Sequence, residues 1–390
     1  VSRRAQVLSL AALAVAALVF DFFFAVRHGF FDLNVYYGAV NYWAEGGNIY
    51  DFVRGNSTYG FTYPPFAAFV MLPMAVLPWP VVVTITCAAT IAVTVWLLRR
   101  LLGKPGWFEL GVFLCLAAVF EPMRETFLFG QVNMLLVGLV SADLLLLTAR
   151  RSKWAGIGIG LATAVKLTPG IFIVYLLITR RWRAALVSML TAGGVTLAAA
   201  AIAPDTSREF WTAALWDTDR VGVLSFISNQ SLQGAVARLD PVHPNRILWV
   251  SLVLLALAVW AIRSQRAVAN NDEMLGLALT GLVGVLISPV TWIHHLVWAI
   301  PAMVLIWRRG AKWARIFVVV AYIIMCSRLV WPFEANFDNP VYFVLSNMYV
   351  WLTLAMLFVT PALAPQAEPH LGRVELGAPR PVKLPRSVRV

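Results

Sequence analysis

Apolar stretches alternate with short polar ones along most of the chain. Apolar runs fall at 5–26, 79–98, 107–120, 132–148, 154–166, 168–179, 184–203, 246–262, 274–290, 293–307, 313–327 and 341–360. A membrane-spanning helix needs roughly 20 predominantly apolar residues. Alternated from a cytoplasmic N-terminus, the runs predict an all-α polytopic membrane protein of about twelve transmembrane helices. Two segments break the rhythm. "YPPFAAFVMLPMAVLP" (63–78) is short and Pro-rich, and predicts a helix begun by Pro64-Pro65 that lies in or dips into the outer leaflet. The runs 154–166 and 168–179 are also short and meet at "KLTPG". Irregular backbone at that depth is tolerated only where it lines protein or water, which places a cavity beside it.

The polar stretches complete the layout. Long outer loops are expected at 27–78 and 204–245. In the first, "NVYYGAVNYWAEGG" (34–47) has helical periodicity and ends at Gly46-Gly47, which predicts an amphipathic helix along the interface. A single transmembrane domain is expected over 1–363. Residues 364–390 are polar, basic and Pro-rich, and are expected to form a disordered cytoplasmic tail. The first run lacks an A-x-A-type cleavage site, so it is read as a retained span and not a signal peptide.

Composition narrows the class. Of 390 residues, 60% are hydrophobic and 13% charged, too few polar groups to cover a water-soluble surface. The net charge of +12 needs no nucleic acid to explain it. Lys and Arg cluster between the runs, as at Arg99-Arg100, Arg150-Arg151-Lys153, Arg180-Arg181-Arg183 and Arg308-Arg309-Lys312. In the twelve-span layout these clusters all lie on the cytoplasmic side, as the positive-inside rule requires. Acids, among them Asp32, Glu45, Asp51 and Glu121, gather on the other. The three cysteines, Cys87, Cys115 and Cys326, have neither metal nor disulfide spacing and read as small core hydrophobes.

Polar residues at the membrane surface or inside spans are costly, which makes them candidates for function. Asp32 follows the first span directly. "EPMRETFLFGQVN" (121–133) carries Glu121, Arg124, Gln131 and Asn133 to the outer side. Lys166 stands at the break between two short helices. "SNQSLQG" (228–234) brings Asn229 and Gln230, "SPVTWIHH" (288–295) brings His294 and His295, and Arg328 ends the eleventh run. Each has a plainer reading. Asp32 could cap the following helix, Gln131 and Asn133 could join neighbouring helices, Lys166 could snorkel, and the histidines could be satisfied junction residues. All six groups nevertheless converge on one face. A carboxylate there can act as general base, and cations can stabilise a departing phosphate. No phosphate loop or Rossmann fingerprint is present, which argues against a soluble nucleotide-linked donor. Asp21 and Asp143, inside spans, are assigned to helix contacts.

In this order, an acid after the first span, "TYPPF", "GQVN", "KLTP", "NQSL" and "SPVTWIHH" resemble the polyprenyl-phosphate-dependent glycosyltransferases of glycosyltransferase family 87. The resemblance covers roughly residues 27 to 330. It implies a GT-C fold and an α-(1→2)-mannosyltransferase that builds phosphatidylinositol mannosides, lipomannan or lipoarabinomannan. It also implies that Asp32 holds the position of the catalytic acid. The histidines match the family's SW-x-HH element, except that Thr291 stands where Ser is usual and Ile293 where Asp is common.

By that resemblance, the donor is polyprenyl-phosphate mannose and the acceptor a mannosylated phosphatidylinositol within the lipid bilayer. A β-linked donor and an α-linked product imply inversion in one displacement, with Asp32 as base. Arg124, Gln131, Asn133, Lys166, Asn229, Gln230, His294 and His295 are the expected substrate-binding residues. No cofactor is expected. Polyprenyl phosphate leaves readily, so no metal is expected either, and no D-x-D motif is expected to hold one. The site would lie on the extracytoplasmic face of the plasma (inner) membrane, with both termini cytoplasmic. Two alternatives stay open: a polyprenyl-phosphate-arabinose-dependent arabinofuranosyltransferase, and a twelve-span transporter. The transporter would call for midplane polar residues and internal repeats.

Overall fold

In a computed structural model the described residues are 2–55, 59–217, 222–334 and 336–363. The expected tail, 364–390, lies outside them. The elements are helical, and the strand-like pairing among the described residues is one antiparallel bridge between Val53 and Gly60. Four helices are long and apolar enough to cross a membrane: Arg3–Phe24, Trp79–Leu102, Trp182–Ile202 and Arg246–Ala269. At 1.5 Å per residue each reaches about 30 Å or more, the thickness of the hydrocarbon core. Their outward surfaces are apolar. Phe22 is 70% exposed, Leu197 71% and Ile247 81%. Side chains so placed need lipid around them.

The expected count of twelve crossings is not reached by length and apolarity. Two bent pairs, Glu121–Phe129 with Asn133–Thr148 (113°) and Pro340–Ser346 with Met348–Val359 (61°), raise four spans to at most six among the described residues. Other runs fold as shorter helices: Trp107–Val119, Ile157–Val165, Ile171–Ile178, Glu273–Ile287, Ile300–Arg309 and Lys312–Cys326. A helix of 15 residues rises only about 22 Å. The cause is local. Gly130 ends one helix in the left-handed region (φ 70°), Lys166 ends another in extended backbone, and Ile293–Ala299 winds as a 3-10 helix.

A helix forms where one was expected, over Phe31–Ala44, burying Leu33, Tyr36 and Val40 at helical spacing. It starts three residues earlier than the periodicity indicates, so Asp32 lies inside its first turn. The Pro-rich segment also forms its helix, with Pro65 as first residue over Pro65–Met71. It packs on Ile157–Val165 and Trp182–Ile202. Asp143 is a helix-contact residue. It accepts hydrogen bonds from the N–H groups of Gly156 (2.8 Å) and Ile159 (3.2 Å), at the start of Ile157–Val165.

Candidate active site

The site begins with a sharp turn. After Arg3–Phe24, Gly29 (φ 59°) and Phe30 (φ 54°) both take left-handed backbone. For Phe30 that costs about 1–2 kcal/mol. The Phe30 N–H donates to the Leu128 carbonyl (2.9 Å), tying this turn to Glu121–Phe129. Phe30 is the N-cap residue of Phe31–Ala44, and no side chain caps the helix. The plainer reading of Asp32 as a helix cap is thereby removed.

Gln131 meets Asp32 from the other side. A Cβ on Gly130 would lie 2.5 Å from that of Leu33, so only glycine lets the turn carrying Gln131 abut the helix carrying Asp32. Gln131 Nε2 donates to Asp32 Oδ2 (2.5 Å), and its Oε1 accepts from the Tyr63 hydroxyl (3.3 Å). Tyr63 also meets the Tyr36 hydroxyl (2.8 Å) and accepts from Lys166 Nζ (3.3 Å). Lys166 donates in turn to Asn133 Oδ1 (3.2 Å) and lies 3.0 Å from His295 Nε2. One polar chain therefore runs from the carboxylate to the ammonium and the imidazole. Asp32, Gln131, Asn133, Lys166 and His295 are brought together.

Asp32 keeps part of its surface open, but its carboxylate is packed round. Burial pushes its pKa up to about 6, against the pull of the Gln131 hydrogen bond and of Lys166, His28 and Arg54. A carboxyl with that pKa is ionised at neutral pH and basic enough to take a proton.

The remaining expected residues are placed otherwise. Arg124 is buried and turns to Asp21 (3.6 Å) and the Cys326 carbonyl (3.3 Å), with Phe20 against its guanidinium. His294 is buried beside Phe129. Its Nε2 has no partner among the described residues, and its carbonyl accepts from Thr126 Oγ1 (3.2 Å) and Asn133 Nδ2 (3.4 Å). Of the two histidines, His295 faces Lys166. Arg328 pairs with Glu125 (3.0 Å) and Glu121 (3.7 Å), and Glu121 also accepts from Trp331 (2.7 Å) and Tyr349.

Asn229 and Gln230 lie apart from this polar chain, in the turn before the Leu232–Leu239 helix. Asn229 donates to the carbonyls of Leu224 (2.9 Å) and Pro289 (3.2 Å) and accepts from the Thr291 N–H (2.9 Å). Gln230 Nε2 donates to the Ile227 (2.7 Å) and Ser346 (2.8 Å) carbonyls. Their donor groups are engaged by main chain, so these amides brace the loop that carries the histidines. Tyr63 and Tyr36 are the site residues that sequence reasoning missed. The available signal was Tyr63 itself, directly before the Pro-Pro that starts a surface helix. A further correction belongs to the sequence. Asp217-Thr218-Asp219 in the second outer loop has D-x-D spacing, so the expectation of metal independence rests on the leaving group alone. Thr218 and Asp219 lie outside the described residues.

Known proteins resemble this chain along most of its length. The sequence profile of glycosyltransferase family 87 matches residues 61–289. The chain is 35% identical over 317 residues to the polyprenol-phosphate-mannose-dependent alpha-(1-2)-phosphatidylinositol mannoside mannosyltransferase of Mycolicibacterium smegmatis, covering 72% of this chain and 71% of that one. It is 32% identical over 379 residues to the corresponding phosphatidylinositol pentamannoside mannosyltransferase of Mycobacterium tuberculosis, covering 91% and 86%. Among solved structures, that of ArnT from Cupriavidus metallidurans bound to undecaprenyl phosphate aligns over 91% of this chain and 77% of that one, at 17% identity and a TM-score of 0.38.

Proposed function

The chain belongs to glycosyltransferase family 87 and is a glycosyltransferase, and from that premise we propose that it moves mannose from polyprenyl-phosphate mannose to a mannosylated phosphatidylinositol. The names of the relatives supply both substrates. The proposal includes a GT-C arrangement with an extracytoplasmic site in the plasma membrane, which the sorting of basic clusters supports. The new linkage is α-(1→2), formed with inversion.

One observation carries the reading: the Asp32 carboxylate is joined through Gln131 and Tyr63 to the Lys166 ammonium and His295. A base and a pair of nitrogen donors, the Lys166 ammonium and the His295 imidazole, thus lie along one polar chain. The acceptor oxygen attacks the anomeric carbon of the donor sugar while its proton passes to Asp32. The bond from that carbon to the phosphate oxygen breaks, and its electron pair leaves on the phosphate. Lys166 and His295 stabilise the charge that gathers there. A single displacement inverts the anomeric carbon and needs no covalent intermediate. The test is the product. A mannosidase specific for α-(1→2) bonds should release all transferred label, and a resistant product contradicts the linkage.

The raised pKa gives a second expectation. Asp32 must be ionised to act as base, so kcat/KM for transfer should fall about tenfold per pH unit below about 6 and level off above it. Initial rates between pH 5 and 8, at fixed lipid and detergent, measure this. A profile flat from pH 5 to 7 contradicts the assignment.

A further inference from the structure

Arg238 is a buried cation without a carboxylate. It lies on the Leu232–Leu239 helix of the second outer loop, 1% exposed, and no acid pairs with it among the described residues. Its terminal nitrogens donate to the Asn229 carbonyl (2.9 and 2.7 Å) and more weakly to that of Ile227 (3.4 Å). Arg238 thus reaches back along its own helix to hold the turn before it. The approach is close: a Cβ at Gly234 would lie 2.3 Å from the Asn229 oxygen and 3.1 Å from Arg238 Nη1. A charge buried this way is costly and adds little to stability, so its use is sought in what the turn does.

The turn holds a second loop. Besides the Asn229 side chain, Ser231 Oγ donates to the Pro289 carbonyl (3.1 Å), and the Gln230 N–H donates to the Thr291 carbonyl (2.7 Å). The Ile293 N–H donates to Ser228 Oγ (3.3 Å). Trp292 is therefore fixed on both sides, and its own N–H donates to His295 Nδ1 (3.2 Å). A neutral imidazole that accepts at Nδ1 carries its proton on Nε2. Nε2 is the atom facing Lys166 Nζ at 3.0 Å. Two N–H donors then lie side by side, and since neither can accept from the other, an oxyanion beside the pair would satisfy both.

We propose that Arg238 is a positioning residue for transfer: through the 227–231 turn and the 288–293 loop it holds His295 as the Nε2–H tautomer, aimed with Lys166 at the lipid phosphate. This rests on the reading of Lys166 and His295 as phosphate partners.

A double-mutant cycle on the full-length protein in lipid nanodiscs tests it. Arg238→Met should lower kcat by about 10–100-fold, taking as guide the loss typical when an outer partner that orients a metal-bound histidine is removed. Arg238→Lys, which keeps the cation and a donor, should recover part of the rate. In a His295→Ala background the Arg238→Met change should cost less than about twofold, because its target is gone. Histidine side-chain ¹⁵N spectra should show His295 losing its single Nε2–H form in Arg238→Met. If that variant does not fold, Arg238→Lys carries the same cycle with a smaller loss. Equal losses in both backgrounds overturn the proposal, since a residue serving only stability acts regardless of His295. Parental activity in Arg238→Met overturns it too. Parental activity in His295→Ala removes the phosphate reading first, and this proposal with it.

Discussion

Replacing Asp32 by Asn should lower transfer by about 10²–10⁴-fold, the usual cost of losing a general base, while the protein stays folded. Asn keeps the size of Asp and an oxygen that still accepts from Gln131 Nε2, but it cannot hold the acceptor's proton. The structure removes the main structural reason for the carboxylate, because Phe30 is the N-cap residue and no side-chain cap bond exists. Other acids on the same face are poorly placed to substitute. Glu121 has both oxygens engaged by Trp331 and Tyr349, and Glu45 and Asp51 are exposed. The measurement is the initial rate with the lipid donor, alongside a thermal melt. A well-folded variant retaining more than about a tenth of the parental rate would falsify the base assignment.

Lys166→Gln should cost about 10²–10³-fold in kcat, as expected for loss of a preorganised donor to developing charge. A snorkelling lysine would send its ammonium to water, and its loss would be nearly silent. Here Nζ donates to Tyr63 (3.3 Å) and Asn133 (3.2 Å) and lies 3.0 Å from His295 Nε2. Gln can replace one of these contacts but brings no charge to the phosphate. Steady-state kinetics against the lipid donor separate the cases, and unchanged kcat and KM would take Lys166 out of the site.

Much of this site was legible before any coordinates. An acid at a span's end, a Pro-Pro helix start and a lysine at a helix break each violate the membrane's ordinary preferences, so each stands out. Hydropathy gives depth and side well because burial in lipid is a property of composition. It gives direction around a helix poorly. Arg124 and Gln131 come from one short motif, yet Arg124 turns to Asp21 while Gln131, beyond the left-handed Gly130, turns to Asp32. The same limit hid the role of Asn229, since a polar turn reads alike whether it faces substrate or a neighbouring loop. Tyr63 was overlooked because an aromatic residue at an interface is ordinary, and only its hydroxyl partners set it apart. The span count is not reached among the described residues for another reason. The runs 154–166 and 168–179 read as two crossings by hydropathy, but they contain helices of 9 and 8 residues.

The identity of the donor tests the central claim most directly. The purified chain, reconstituted with a mannosylated phosphatidylinositol acceptor, should be offered labelled polyprenyl-phosphate mannose and labelled polyprenyl-phosphate arabinose in parallel. Label should pass from the mannose donor to the acceptor lipid, in proportion to enzyme and time, with little or none from arabinose. Transfer from the arabinose donor alone, or no transfer from the mannose donor to any mannosylated lipid, would contradict the account.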